Sequence, residues 1–296
     1  MAQDVTTISA LFSTPYLTIA EYKQAPTAVD VDDLVGGGNS AINDQELANC
    51  IARASSWMDA HCGQVLGATL DTESFRARVS RDGYLKVHPR YFPVISVVSA
   101  LYGSNPLYQQ ALDANTAWIE QMAVVFPLGA TSFIGPIQFT PTYASGVDQY
   151  VTITYVNGYA NTLLSSSVLA GATSIPVSDL TGFVPGQQFQ IYDGSVTELC
   201  RVSSSFTATQ GAGSLPLASA LAHPHDSGIS VSALPPAIKQ AAIYMTNVVL
   251  KSRGNASLVM GQINGFTPGS LNTDNPAVAS DYNSAVDLLK PFRRIR

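Results

Sequence analysis

Charge is what this sequence has least of. Lys, Arg, Asp and Glu make up 12% of its 296 residues, where roughly 25% is usual in a soluble domain. A surface so poor in charge is covered by Ser, Thr, Asn, Gln and Gly, or lies against other chains. Both suit an assembled or extracellular protein better than a cytosolic monomer. The net charge of -6 argues against a general grip on nucleic-acid phosphates. Cysteine is scarce as well, with only Cys50, Cys62 and Cys200. If Cys50 and Cys62 share a helix they stand roughly 18 Å apart along its axis, beyond the ~7 Å that a disulfide spans. Free thiols and a reducing site of synthesis follow. Long apolar runs are missing: "FPVISVVSALYG" falls short of the roughly 20 residues a bilayer requires, so no membrane partner is expected. The first basic residue is Lys23, so the start lacks the charged region of a signal peptide.

What is present is an apolar fraction of 46% in a chain long enough for one or two domains with a large core. Thr18 opens a short helix with the capping-box string "TIAE", in which Glu21 reaches back to the cap amide, and Pro26 limits it. Asn43 reads as the cap of a second helix, in which Leu47, Ile51, Ala54 and Met58 recur at helical spacing up to Cys62, with Gly63 as its stop. From Phe75 the period changes to alternation, and Asp82-Gly83 reads as a hairpin turn between two strands. "VISVVSALYG", "AWIEQMAVVFPL" and "QYVTITYVNGY" add further strands. A Ser/Gly/Thr-rich stretch follows with its own strands, "TSIPV", "QFQIYD" and "VTELCRV". A two-residue Asp193-Gly194 turn would pair Ile191 with Val196 and Phe189 with Glu198, placing Glu198 on an otherwise apolar face. A one-residue bulge would reverse that. Helix returns at Pro235-Pro236, with Ile238, Ala242, Met245 and Val249 on one face and Gly254 as terminator. A last helix begins at Pro276 and carries Val278, Tyr282, Ala285, Val286 and Leu289.

Few strings suggest chemistry. "HPHDSG", from His223 to Gly228, offers two histidines and an aspartate, but no second cluster supports a metal site, and a polar loop is the plain reading. His61 and Cys62, with His88 as a distant partner, suggest a nucleophile. A helix C-terminus favours the thiol over the thiolate, however, so Cys62 reads as a buried small residue. "VGGGNS" lacks the Gly-Lys-Ser/Thr end of a phosphate loop. Asp30, Asp32 and Asp33 lack the Gly and terminal Glu of a calcium loop and read as a solvated face. No catalytic residue, cofactor or metal site is expected. The ending "LLKPFRRIR" interleaves Lys290, Arg293, Arg294 and Arg296 with Pro291, Phe292 and Ile295. Basic residues suit a helix C-terminus. Arginines mixed with apolar residues also suit a docking peptide, and both readings stay open.

In order and spacing these pieces resemble the head–tail connector (adaptor) proteins of tailed bacteriophages. The resemblance rests on "YLTIAEYKQA", "ELANCIARASSWMDAHCGQVLG", "YLKVHPRYFPVISVVSALYG", "YVTITYVNGY", "LPPAIKQAAIYMTNVVLKSRG" and "AVDLLKPFRRIR", roughly residues 16–160 and 233–296. "AGATSIPVSDLTGFVPGQQFQIYDGSVTELCRV" is similar to a β module seen within longer phage connectors. The chain departs from compact members by that insertion, a longer N-terminal segment and extra strands near 115–140.

The resemblance implies an α+β fold. A connector core of about four helices with β-hairpins, residues 1–161 and 233–296, would carry an inserted all-β module, barrel or sandwich, at 162–232. It implies a structural virion protein made in the host cytoplasm and placed in the neck. There a twelve-subunit ring joins the portal to the next tail or neck component and lets double-stranded DNA pass its channel without specific binding. Lys290, Pro291, Phe292, Arg293, Arg294, Ile295 and Arg296 would dock on the portal. The alternative is a carbohydrate- or surface-binding virion protein using the aromatics of the β module, Phe183, Tyr192 and Phe206. Exposure of these in a groove would favour it. An enzyme built on His223 and His225 ranks third.

Overall fold

The computed structural model describes residues 14–32, 34–36, 38–80, 83–120, 122–128, 148–252 and 276–294. Among these the fold is mixed α+β, with four α-helices and several sheets whose named strands all pair antiparallel. This agrees with the expected class. The chain divides into two compact units. One is Ala68–Gly158, and the other combines Thr7–Gly67 with Tyr159–Arg296.

The discontinuous unit is built on helices. Helix α1, Ile19–Gln24, starts at Thr18 with both arms of the expected capping box in place. Helix α2, Ser40–Cys62, ends at Gly63, whose φ of +69° supplies the left-handed turn a glycine adopts without strain. Its cap is Asn39, not Asn43. The Asn39 side chain accepts from the Ile42 amide at 3.0 Å. The Asn43 amide instead holds the preceding loop, accepting from Val35 N at 2.9 Å and donating to the Asp32 carbonyl. Helix α3, Pro236–Lys251, begins with proline at its first position, and α4 spans Pro276–Leu289. Gly254, the expected terminator of α3, lies outside the described residues.

Leu47, Ile51 and Met58 of α2 pack with Ile238, Ala242 and Met245 of α3 and with Val278 and Ala285 of α4. Full burial of each large apolar side chain contributes about 2 kcal/mol. Trp57 meets Tyr282 edge-on at 5.4 Å. Polar ties are also buried. The Tyr16 hydroxyl donates to Asp59 and accepts from Leu66 N at 2.9 Å. Tyr22 donates to Asn247 at 2.5 Å.

Between these helical segments the same unit carries the β module. Its strands are β8 (Asn161–Leu163), β9 (Ser174–Val177), β10 (Gln188–Tyr192), β11 (Glu198–Arg201), β12 (Gly213–Pro216) and β13 (Ser230–Ser232). They form one sheet in the order β11-β10-β13-β8 and a β9–β12 pair. The module has its own apolar core around Ile175, Val177, Phe183, Phe189, Ile191 and Val231. The β10–β11 register differs from the expected one by two residues: Ile191 pairs with Glu198 and Phe189 with Cys200. The cause is a five-residue connection containing a 3-10 turn at Gly194–Val196, where two residues had been expected. An even shift preserves the faces, so Glu198 stands on the inner side with Phe189 and Ile191.

The other unit is all β. Strands β1 (Thr69–Arg78), β7 (Asp148–Asn157), β3 (Val94–Asn105) and β4 (Tyr108–Leu112) make one sheet in that order. Strands β2 (Tyr84–Val87), β6 (Ala123–Pro127) and β5 (Trp118–Glu120) make a second. Alternation along β1 begins at Thr69, six residues before the expected change of period. Asp82 lies outside the described residues, but Gly83 (φ +79°) and the bond from Ser80 N to the Tyr84 carbonyl keep the turn. The expected hairpin is reduced to a single Val79–Leu85 bridge. Strand β1 pairs instead with β7, and β2 with β6.

Candidate functional site

The C-terminal segment is tied to the end of α2 through its backbone. After α4, Lys290–Phe292 make one 3-10 turn. The Gln64 amide donates to the Phe292 carbonyl at 2.9 Å, and Arg294 N donates to the Cys62 carbonyl at 2.9 Å. Phe292 also meets Tyr159 edge-on at 6.2 Å. The basic side chains therefore stand on a fixed stem at a helix C-terminus, where the dipole favours cations. Lys290 and Arg293 are exposed, and Lys290 pairs with Asp287 at 2.7 Å. Ala60, His61, Cys62, Gly63, Arg293 and Arg294 line a cleft of about 510 Å³. Ile295 and Arg296 lie outside the described residues.

A second constellation joins the module to the helices. The Lys239 ammonium lies 2.6 Å from Glu21 Oε1, 3.1 Å from Ser230 Oγ and 4.3 Å from the Tyr192 ring centroid. Lys239 and Glu21 expose only 7% and 8% of their side chains, so this pair is desolvated. Burial pushes the Lys239 amine below its ordinary range, and Glu21 pulls partly against that. The other oxygen of Glu21 accepts from Thr18 N at 2.6 Å, completing the helix cap. Beside them Gly194 approaches the Gln24 amide so closely that a Cβ would meet Gln24 Oε1 at 2.8 Å. One carboxylate thus serves the start of α1 and the side of α3, and Lys239 carries the tie on to Ser230 and Tyr192 of the module.

The histidine string resolves into one buried and one exposed ring. His225 is 2% exposed, while His223 lies at the surface. Nδ1 of His225 is 2.9 Å from Asp193 Oδ2, and Nε2 is 3.5 Å from Glu198 Oε2. Glu198 also accepts from Ala222 N at 2.8 Å and His223 N at 3.3 Å. Burial alone would raise the Glu198 pKa, but these two amides and His225 hold it below the usual carboxylate value. Among the described residues no group of three His, Cys, Asp or Glu side chains is arranged to hold a metal ion.

No protein-family model and no curated protein matches this chain.

The remaining sequence candidates are structural where they are described. Burial first, and Asp59 second, push the Cys62 thiol up to about 12, which removes the nucleophile suggested by His61-Cys62. His61 stacks on Trp57 at 4.9 Å. Asp30 and Asp32 are exposed, and Asp33 lies outside the described residues. All three cysteines are buried. Of the module aromatics, Phe183 and Phe206 are buried in its core, and Tyr192 is half-buried beneath Lys239. These three make no exposed aromatic groove. The Glu21–Lys239 seam had no sequence signal: its partners stand 218 residues apart, and Lys239 reads as an ordinary helix surface residue beside Ile238.

Proposed function

We propose that this chain is a structural connector of a phage neck, a subunit of a twelve-membered ring between the portal and the tail through which DNA passes. What carries the reading is the way the chain builds its helical core. Four helices drawn from both ends of the sequence share one apolar cluster, with all the strands inserted between the second and third. That is the order in which the connector-like strings occur. The surface supports assembly as well. Of the twelve large apolar residues left exposed among the described ones, all but Ile42, Leu169 and Leu199 belong to the strand unit, with Leu107 at 87% and Tyr108 at 76%. Leu107 and Tyr108 adjoin in sequence, and Tyr84 meets Trp118 at 5.4 Å; contiguous apolar exposure is a mark of interaction surfaces. In a ring of identical subunits two different flanks of each copy are covered.

Lys290–Arg296 provide the portal-docking surface in this account. Truncation tests it poorly, because Phe292 and Arg294 also fasten the segment to α2. Charge reversal at the exposed Lys290 and Arg293 leaves those bonds intact. The Lys290→Glu/Arg293→Glu variant should keep its helical signal and lose co-sedimentation with portal rings. Undiminished co-sedimentation would remove the segment from the docking surface. The binding-module alternative loses the exposed aromatics that were its main support.

A further inference from the structure

The four-stranded sheet of the strand unit ends in two edges, β1 on one side and β4 on the other. Among the described residues no backbone hydrogen bond reaches the outer side of either strand. Such an edge is a template for pairing with another chain, and proteins usually guard it with lysine, proline, a bulge or inward-pointing charge. Strand β1, "TLDTESFRAR", has no lysine or proline, and its register with β7 is unbroken over all ten residues. Its four charges are all turned to β7. Asp71 accepts from the Asn157 amide at 2.6 Å, Glu73 from the Tyr155 hydroxyl at 3.1 Å. Arg76 donates to the Tyr150 hydroxyl at 2.5 Å, and Arg78 to Asp148 at 2.6 Å. Strand β4, "YQQAL", carries no charge and no proline. No charge is left over to repel a strand arriving at either edge.

The two edges also fit each other in direction. Strands β1, β7, β3 and β4 alternate, each pair antiparallel, so β1 and β4 run opposite ways. In a ring each copy is its neighbour rotated, by about 30° for twelve subunits, and strand directions change by no more than that. Strand β4 of one copy therefore meets β1 of the next antiparallel, and the alternation continues across the boundary. The three-stranded sheet lacks this property. Both β2 and β5 oppose β6, so a head-to-tail join there would be parallel, the less stable pairing. Apolar exposure follows the same two edges, with Leu70 on β1 and Leu107 and Tyr108 at the β3–β4 turn. We propose, and this rests on the ring reading above, that β4 of each copy pairs with β1 of the next, so that one continuous antiparallel sheet runs around the ring.

The sheet itself gives the register. Its residues line up in straight rows, as in Ser74–Thr152–Leu101–Ala111. Carried across the boundary, this row sets Ser74 of one copy opposite Ala111 of the next. Both are exposed and stand on the outward face. Within one chain the same two residues are three strand spacings apart, roughly 14 Å, about twice the reach of a disulfide. A covalent link between these positions therefore reports two copies edge to edge.

The test uses the full chain with portal present, and light scattering reports its assembly. Hydrogen exchange of the wild type compares assembled with monomeric protein. The outward amides of 69–78 and 108–112 should slow together by about tenfold, the gain expected for a new hydrogen bond. The Ser74→Cys/Ala111→Cys variant, oxidised under the same conditions, should give a ladder of covalent oligomers on a non-reducing gel, and each single variant should not. Should the two copies be offset along the strands, the ladder is lost and exchange decides alone. Dimers from Ser74→Cys alone mark a two-fold β1–β1 pairing and overturn the proposal. Edges already protected in the monomer, covered by a segment of the same chain, overturn it too. Rings whose edges exchange as freely as in the monomer overturn it and leave the connector reading standing. Monomers at every concentration overturn both.

Discussion

Replacing Glu21 by alanine perturbs the helix–module seam at its most desolvated point. The substitution leaves the Lys239 ammonium buried with Ser230 Oγ at 3.1 Å and the Tyr192 face at 4.3 Å as its remaining partners. Breaking a buried pair by removing one member costs roughly 3–5 kcal/mol. The aromatic face offsets part of this, so the lower end applies, about 3 kcal/mol. Losing the Glu21 arm of the capping box adds up to about 1 kcal/mol. Glu21→Ala should therefore lose about 4 kcal/mol, and Lys239→Met a similar amount, because it strands the Glu21 carboxylate with Thr18 N alone. Replacing both by methionine removes both charges and should lie within about 1 kcal/mol of wild type, apart from the cap. Closed with Glu21→Met, expected to cost as much as Glu21→Ala, the double-mutant cycle then shows a coupling of roughly 6 kcal/mol. Urea unfolding followed by helical circular dichroism measures it, with melting points expected to fall by very roughly 8–16 °C in the single variants. Single losses under about 1 kcal/mol, or a double variant that loses the sum of the singles, would refute the reasoning.

Two further outcomes follow from local geometry. A Cβ on Gly103 would stand 2.1 Å from the Tyr108 carbonyl oxygen. Gly103→Ala should thus open the β3–β4 hairpin and cost about 1–3 kcal/mol or more, raising hydrogen exchange over 100–112. Gly36→Ala, which meets nothing within 4 Å, serves as the neutral control. The Cys62 and Cys200 thiols are pushed up to about 12 by burial. At pH 8 only about one molecule in ten thousand carries either thiolate. Native-state alkylation by iodoacetamide should therefore be slow at pH 8, rise about tenfold with each pH unit towards 12, and become fast on unfolding. Rapid native-state labelling at pH 8 would contradict their environment.

The helices were legible because their signals are local. The "TIAE" cap, the Gly63 stop, Pro236 at the first turn of α3 and the apolar spacing of Ile238, Ala242 and Met245 all operate within a few residues. The Asn39 cap was missed because Asn39 and Asn43 are equally good capping residues four apart. Only the fold of the preceding loop assigns Asn43 to Val35 and Asp32. Strand partners were less legible. The turn at Gly83 suggested that its flanking strands pair with each other. The longer ladder between Thr69–Arg78 and Asp148–Asn157 wins instead, and a contact at that separation leaves no trace in local pattern. Glu198 shows both sides of this limit. Alternation placed it on the inner face correctly, while its partner, His225 from a string read as a polar loop, emerged only with the tertiary structure.

The central claim is that this chain assembles into a ring that seats on a portal. Negative-stain electron microscopy of the purified protein, alone and mixed with portal, tests it most directly. The account predicts twelve-fold rings, free or stacked on the portal, each with a central opening wide enough for a DNA duplex. Monomers that leave the portal bare at all concentrations would contradict it.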